Sequence, residues 1–350
     1  NTKENKIYRV LPKNEKTLKE SLISDLSRYS FEYLHTDRLK NILHYSNETN
    51  ELEKTSTINE GFNHIHNYLK KKRKKKKITI FIDNKCDLET AYILNQIKYL
   101  KKGILKVINI DKIKKTNYFK SINNKQSLDF IKNTNEFCCT ISTDIKIENP
   151  VLNLKLRFKN QILDQKILHF GFNSKTNIIR KIITLNIFNI LKLFHGKIKK
   201  FSINLIKKKK SLLILGENIF KRISTFTNIL NSIKKISKFS EILILYNKVN
   251  GEGLNLFHFD SLNDKNIKNE LHIHINTEEN NIVRKIITNS KKAVLLNSNG
   301  SELLSLADFV FPIQSSFEKQ NYYISNIHIP QKTEVIIKNL DNHISVSYTH

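Results

Sequence analysis

The chain has 350 residues, 39% of them hydrophobic, enough to bury a sizeable core in two or three subdomains and too many for a disordered tail. Sixty Lys and Arg against 32 Asp and Glu give a formal charge of +28, which points first to nucleic acid or an anionic membrane surface. Only eight of the sixty are Arg, the residue best shaped for bidentate phosphate and base contacts, and the scattered Lys with abundant Asn, Ile, Phe and Tyr reads instead as AT-rich coding bias, as in many organelle genomes.

Residues 1–54 show no regular alternation and read as an irregular strap. Lys70 to Lys77, with Arg73 among them, are eight adjacent cations that repel one another and must be solvated. They read as an exposed linker, because the interleaved aromatics of a base-stacking surface are missing. A βαβ unit follows: the apolar run Ile78 to Asp83, a helix from a cap at Asp87 to about Lys101 that ends at Gly103, and a strand over Ile104 to Ile110. Lys166 to Phe170 is a further strand.

The most apolar stretch, Ile178 to Phe194, is interrupted by Arg180, Lys181, Asn186, Asn189 and Lys192, so it does not read as a bilayer span. Its spacing suits an amphipathic helix. A second βαβ unit runs from Leu212–Gly216 through a helical pattern at about Asn218 to Ile236 and back as Ile242 to Leu245. Leu271 to Ile275 and Ala293 to Leu296 are strands around a helix at about Glu278 to Asn289. Finally, the apolar run from Ala307 is closed by Pro312, which cannot donate a backbone bond, and delivers an exposed loop at the edge of a sheet.

This alternation predicts an α/β fold of mainly parallel, doubly wound sheets with helices on both faces. The expected organisation is the strap 1–54, a first α/β subdomain over 55–170 and a second over 171–350.

Motifs for chemistry are sparse. Cys86, Cys138 and Cys139 are too few, and the last two too close together, for an iron–sulfur cluster, so they read as reduced, partly buried small hydrophobes. Gly216 follows a strand, but Glu217-Asn218-Ile219 supplies neither a dinucleotide fingerprint nor a P-loop. Gly251-Glu252-Gly253 lacks the third glycine and reads as a flexible loop. His272 and His274 share one face of a strand, whereas His64 and His66 point apart on a helix; neither pair has an evident third ligand. No nucleophile elbow is present.

Three segments carry a resemblance. Ala307-Asp308-Phe309-Val310-Phe311-Pro312 with Glu318-Lys319 is similar to the pterin-facing segment of the molybdopterin-oxidoreductase superfamily, with Ile313 and Asn321 at expected glycines and Ile327, His328 and Ile329 in place of a closing E-G-R. Arg9-Val10-Leu11-Pro12, Asn14-Glu15, Ile23-Ser24-Asp25, Arg28-Tyr29 and Arg38-Leu39 resemble the large (75-kDa type) iron–sulfur subunits of respiratory complex I, with Leu22 replacing a tryptophan. Asn149-Pro150-Val151-Leu152-Asn153-Leu154-Lys155-Leu156-Arg157 is similar to a helix start in those subunits.

The resemblance implies a structural domain in the NADH-oxidising peripheral arm, on the matrix side of the mitochondrial inner membrane. It implies no cofactor or metal in this chain, and FMN and iron–sulfur clusters in partners that include the flavoprotein and a separate cluster-bearing chain. The strap would be the remnant of the small cluster-type domain, and 307–329 a degenerate cofactor loop in which Asp308, Pro312, Glu318 and Lys319 persist to shape the chain. Arg9, Asn14, Asp25, Arg28, Tyr29 and Arg38 are the expected assembly surface. The alternatives are an active molybdopterin oxidoreductase, or a basic nucleic-acid or ribosome-associated protein.

Overall fold

A computed structural model describes residues 2–12, 22–46, 49, 52–55, 57–70, 77–112, 137–163, 166–171, 181–183, 211–221, 240–262, 271–326 and 329–338. Asn14, residues 71–76 of the cationic run and most of the helix expected after Asn218 lie outside them.

Thr2–Lys3 (β1) and Lys6–Ile7 (β2) form a hairpin through Glu4 and Asn5, whose φ values of 50° and 60° give the turn the twist of its strands. Asp25–Arg28 (α1), capped by Ser24, and Tyr33–Thr36 (α2) are single helical turns. Ile42–Tyr45 (β3) and Leu52–Thr55 (β4) pair antiparallel, and Ile58–Lys70 (α3) follows. The expected βαβ unit is Ile78–Ile82 (β5), Leu88–Leu100 (α4) and Leu105–Asn109 (β6). The Asp87 carboxylate accepts the Thr90 N–H at the start of α4 at 2.7 Å, and Gly103 turns the chain back at φ 86°.

The chain continues through Phe137–Ile141 (β7), Ile145–Glu148 (α5), Pro150–Leu163 (α6), Lys166–Phe170 (β8) and Lys181–Ile183 (β9). Next come Ser211–Gly216 (β10), Asn218–Lys221 (α7), Ser240–Leu245 (β11), Gly251–Leu254 (α8), Asp260–Ser261 (β12) and Leu271–Ile275 (β13). Asn281–Thr288 (α9), Lys292–Asn297 (β14), a 3-10 turn at Glu302–Leu306, Phe309–Pro312 (β15), Tyr322–Ile324 (β16) and Pro330–Lys332 (β17) complete it. Helix α9 starts three residues later than Glu278 because the Asn280 side chain caps it.

An eight-stranded sheet has the order β12-β6-β5-β13-β14-β15-β3-β4, parallel from β12 to β15 and antiparallel at its β3-β4 edge. A five-stranded sheet, β11-β10-β7-β8-β9, is parallel throughout. Three expectations change. The strap is not irregular to residue 54, since β3 adds to the large sheet beside β15. Residues 181–183 of the expected amphipathic helix are a strand, because an i, i+4 isoleucine spacing says nothing of the open sheet edge that β8 offers, and the rest of that stretch, 178–180 and 184–194, lies outside the described residues. Residue 170 does not separate two sheets: it lies inside the five-stranded one, while the large sheet takes β5 and β6 from before it and β12 to β15 from after. Parallel strands need long crossovers, so nearness in sequence does not assign a strand to a sheet.

Strand β13 runs through the middle of the large sheet, and His272 and His274 share one of its faces with no exposure at all. The His274 ring stacks on Phe81 at 4.8 Å, and neither of its nitrogens has a hydrogen-bond partner among the described residues. Burial lowers its pKa to about 3 and lowers that of His272 as well. The unfolded chain, with an imidazole pKa of about 6.5, takes up these protons first. Stability is therefore whole above about pH 6.5 and is lost as pH falls toward 3. The urea midpoint should drop between pH 7 and pH 4, and His274→Phe should flatten that drop; identical pH profiles for the two proteins would refute this assignment.

Candidate functional site

Open parallel sheets collect ligands outside the carboxyl ends of their strands. The chain leaving β15 passes along this edge, but not as an exposed loop. Ile313, Ser315, Glu318 and Asn321 are 2%, 3%, 5% and 0% exposed. Pro312 stays in register with Asn297, and Ile313 extends the pairing by donating its N–H to Asn297.

The reason this loop is buried lies in the strap. The Arg38 Nε donates to Glu318 Oε1 at 3.1 Å and its Nη2 to Oε2 at 2.7 Å, a bidentate pair with both side chains 4% exposed. The same guanidinium donates to the carbonyls of Ile313, at 2.9 Å, and Ser298. Arg38 is therefore an internal residue rather than part of the expected surface. Glu318 also accepts the Ser315 N–H at 2.7 Å. The next residue, Lys319, places its ammonium 2.6 Å from Asp87. Burial alone would raise the Asp87 carboxyl, but Lys319 and the Thr90 bonds outweigh it and hold its pKa below the usual value. Asp308 pairs with Lys292 and accepts the Ala293 N–H at 2.8 Å, tying the start of β15 to β14. All three retained loop charges thus face groups of the chain itself.

The other expected surface residues are less buried than the Arg38 side chain: Arg9, Asp25 and Tyr29 are exposed, Tyr29 at 56%, and the half-buried Arg28 approaches Asp25 to 3.8 Å. Beside them in sequence, Tyr8, Leu22 and Leu26 are also exposed.

A second cluster went unrecognised in the sequence. Lys248, on the chain leaving β11, sits 2.8 Å from Asp83, 2.8 Å from Asp111 and 3.3 Å from Glu278. These carboxylates follow β5, β6 and β13, three adjacent strands of the other sheet. Burial opposes the Lys248 charge, yet Asp83 and Asp111 prevail and raise its pKa. Asp83 itself is raised by burial despite the lysine. The available signal was the position of Asp83 at the end of one predicted buried strand and of Asp111 directly after the next; Lys248 was hidden among many lysines.

The expected flexible loop at Gly251 is instead the buried turn α8. Asn250 ahead of it donates to Cys86 O at 2.7 Å and accepts the Ile324 N–H at 2.9 Å, pinning β16 as well. A Cβ on Gly251 would stand 2.4 Å from Tyr246, on Gly253 2.1 Å from the Asn250 amide oxygen, and on Gly216 2.0 Å from Ser142 O. Cys86, Cys138 and Cys139 are free and buried, more deeply than expected, and burial pushes the Cys138 thiol up to about 12. Among the described residues, no group of three His, Cys, Asp or Glu could hold a metal ion. His64 stacks on His44 at 4.8 Å, and His66 is exposed.

The sequence model of the molybdopterin oxidoreductase family matches residues 56–340. The chain is 23% identical over 270 residues to the NADH-ubiquinone oxidoreductase 75 kDa subunit of Reclinomonas americana, covering 72% of this chain and 37% of that relative's length. Two solved structures share the fold. The acetylene hydratase of Pelobacter acetylenicus matches with a TM-score of 0.57 at 10% identity, covering 96% of this chain and 62% of that one. A chain of the formyltransferase/hydrolase complex of Methylorubrum extorquens matches with a TM-score of 0.54 at 7% identity, covering 84% and 94%.

Removing one partner of a buried ion pair strands the other charge, which costs about 3–5 kcal/mol. Arg38→Met and Glu318→Leu should each destabilise the chain on that scale in chemical denaturation, and the double variant by clearly less than their sum. Strict additivity would show that the pair is not coupled.

Proposed function

The chain belongs to the molybdopterin oxidoreductase family, and we propose that it is a structural, non-cofactor-binding domain of the NADH-oxidising arm of NADH:ubiquinone oxidoreductase. It packs against partner chains that hold FMN and iron–sulfur clusters, including the flavoprotein and a separate cluster-bearing chain, and fixes their spacing while excluding water. The similarity to a 75 kDa subunit supports the assembly. Electron transfer from NADH to ubiquinone then belongs to the whole, with the chain on the matrix side of the mitochondrial inner membrane. Among the described residues no helix is long and apolar enough to cross a membrane.

The observation that carries this reading is the closure of the loop after β15 by Arg38–Glu318 and Lys319–Asp87. A bulky anionic pterin needs backbone that approaches closely and donors left open toward it. The residues here do not fit that need. Gly216, Gly251 and Gly253 give their close approaches to Ser142, Tyr246 and Asn250, and Lys248 and Lys319 are committed to carboxylates of the chain. The exposed strap residues Arg9, Asp25 and Tyr29, with Leu26 at 83% exposure and the half-buried Arg28, supply an assembly surface.

Native purification from the source, with mass spectrometry of co-purifying chains and metal analysis, tests the reading. The expected result is flavin and iron–sulfur partners, with iron and without molybdenum. Molybdenum in a chain purified alone would favour the active oxidoreductase, and bound RNA released by salt would favour a nucleic-acid protein; either overturns the proposal.

A further inference from the structure

Helix α4 buries apolar side chains on one side and exposes large ones on the other. Its inner face buries Thr90, Ala91 and Leu94 against β5 and β6. On its outer face Tyr92, Tyr99 and Leu100 are 57%, 53% and 79% exposed. At 3.6 residues per turn, Tyr92 and Tyr99 lie one above the other, with Leu100 beside them. The exposed sides of the neighbouring helices are more polar: α3 shows Asn59, Asn63, His66, Asn67 and Lys70 with Phe62 among them, and α9 shows Asn281, Lys285 and Thr288 beside Ile282. On α4 the exposed residues are Tyr92, Ile97, Tyr99 and Leu100, with Gln96 as the polar one among them.

The patch continues onto β16. Tyr322, 43% exposed, donates its N–H to the Glu89 carboxylate one turn before Tyr92, and the Lys332 ammonium lies 5.9 Å from the centre of the Tyr322 ring. The rim is cationic. Lys101 and Lys102 are exposed just past the end of α4, and Glu89, the acidic residue on this face, already accepts from Tyr322.

We infer that the outer face of α4, with Tyr322, is a docking surface for a neighbouring protein subunit whose contact patch is apolar at its centre and carries Asp or Glu at its rim. Leu100 and the tyrosine rings need an apolar counter-surface, and the lysines need carboxylates. A second copy of this chain would set the same lysines against each other. The surface is distinct from the strap, so it gives the chain a second contact within the assembly; in that respect it rests on the function proposed above.

Hydroxyl-radical footprinting of the full chain, free and within the natively purified assembly, tests this directly, followed by carbodiimide crosslinking and mass spectrometry. In the assembly, oxidation of Tyr92, Tyr99 and Leu100 should slow severalfold while His66 on α3 serves as an internal reference, and Lys101 or Lys102 should crosslink to Asp or Glu of another protein chain. Leu100→Glu, at a position too exposed to disturb folding, should abolish both effects. If the flavin and cluster partners co-purify but α4 oxidises as fast as in the free chain, this inference fails and the proposed function stands. If those partners are absent, the functional reading fails first. Protection removed by nuclease or by delipidation, or already present in the isolated chain, overturns the protein-docking assignment in favour of RNA, lipid or self-association.

Discussion

Burying the Arg38–Glu318 pair constrains the rest of the large sheet's carboxyl edge. A guanidinium has five N–H donors and no acceptor, so placing it at 4% side-chain exposure requires oxygens on every side. Glu318 supplies two, and the carbonyls of Ser298 and Ile313 supply others. Those carbonyls belong to the chain just past β14 and β15, so one side chain from the strap sets where two parallel strands end and how the following loop leaves them. The loop then has no freedom to project outward, and Lys319 is delivered to Asp87, at the start of α4.

The same logic operates where the two sheets meet. Parallel strands put their carboxyl ends on one edge, and here that edge gathers Asp83, Asp111 and Glu278. Unpaired, such carboxylates would be costly to bury. The chain leaving β11 answers with Lys248, and Asn250 two residues on reaches both Asn84 and Cys86. In a chain of formal charge +28, the lysine excess is thus not purely a surface property. Some lysines act as internal counter-ions between segments distant in sequence, while others remain exposed around α4.

What could be read in advance follows from how far each interaction reaches along the chain. The βαβ unit from Ile78 was legible because its strand, the Asp87 cap, the helix and the Gly103 turn are all specified within a few residues of one another. The shared face of His272 and His274 was legible from strand alternation alone. By contrast, Arg38 looked like surface because an arginine in an irregular strap ordinarily is, and its partner lies 280 residues away. Gly251 looked like a loop because a short polar glycine-rich stretch carries no trace of the Tyr246 ring that makes its missing side chain necessary. Residues 181–183 had helical spacing, yet the free edge of β8 offered backbone bonds.

The sequence by itself determined the α/β class, the positions of most strands, the caps that start and stop α4, and the retention of Asp308, Glu318 and Lys319 in an altered loop. These depend on side-chain periodicity and on backbone groups a few residues apart. Only the tertiary structure decided which strands share a sheet, that β3 joins it, that Arg38 and Lys248 are internal, and that the loop after Pro312 is shut. Each of these depends on pairing a charge or a backbone edge with a group brought near by the crossovers of a parallel sheet, and such proximity is not encoded in any local stretch of chain.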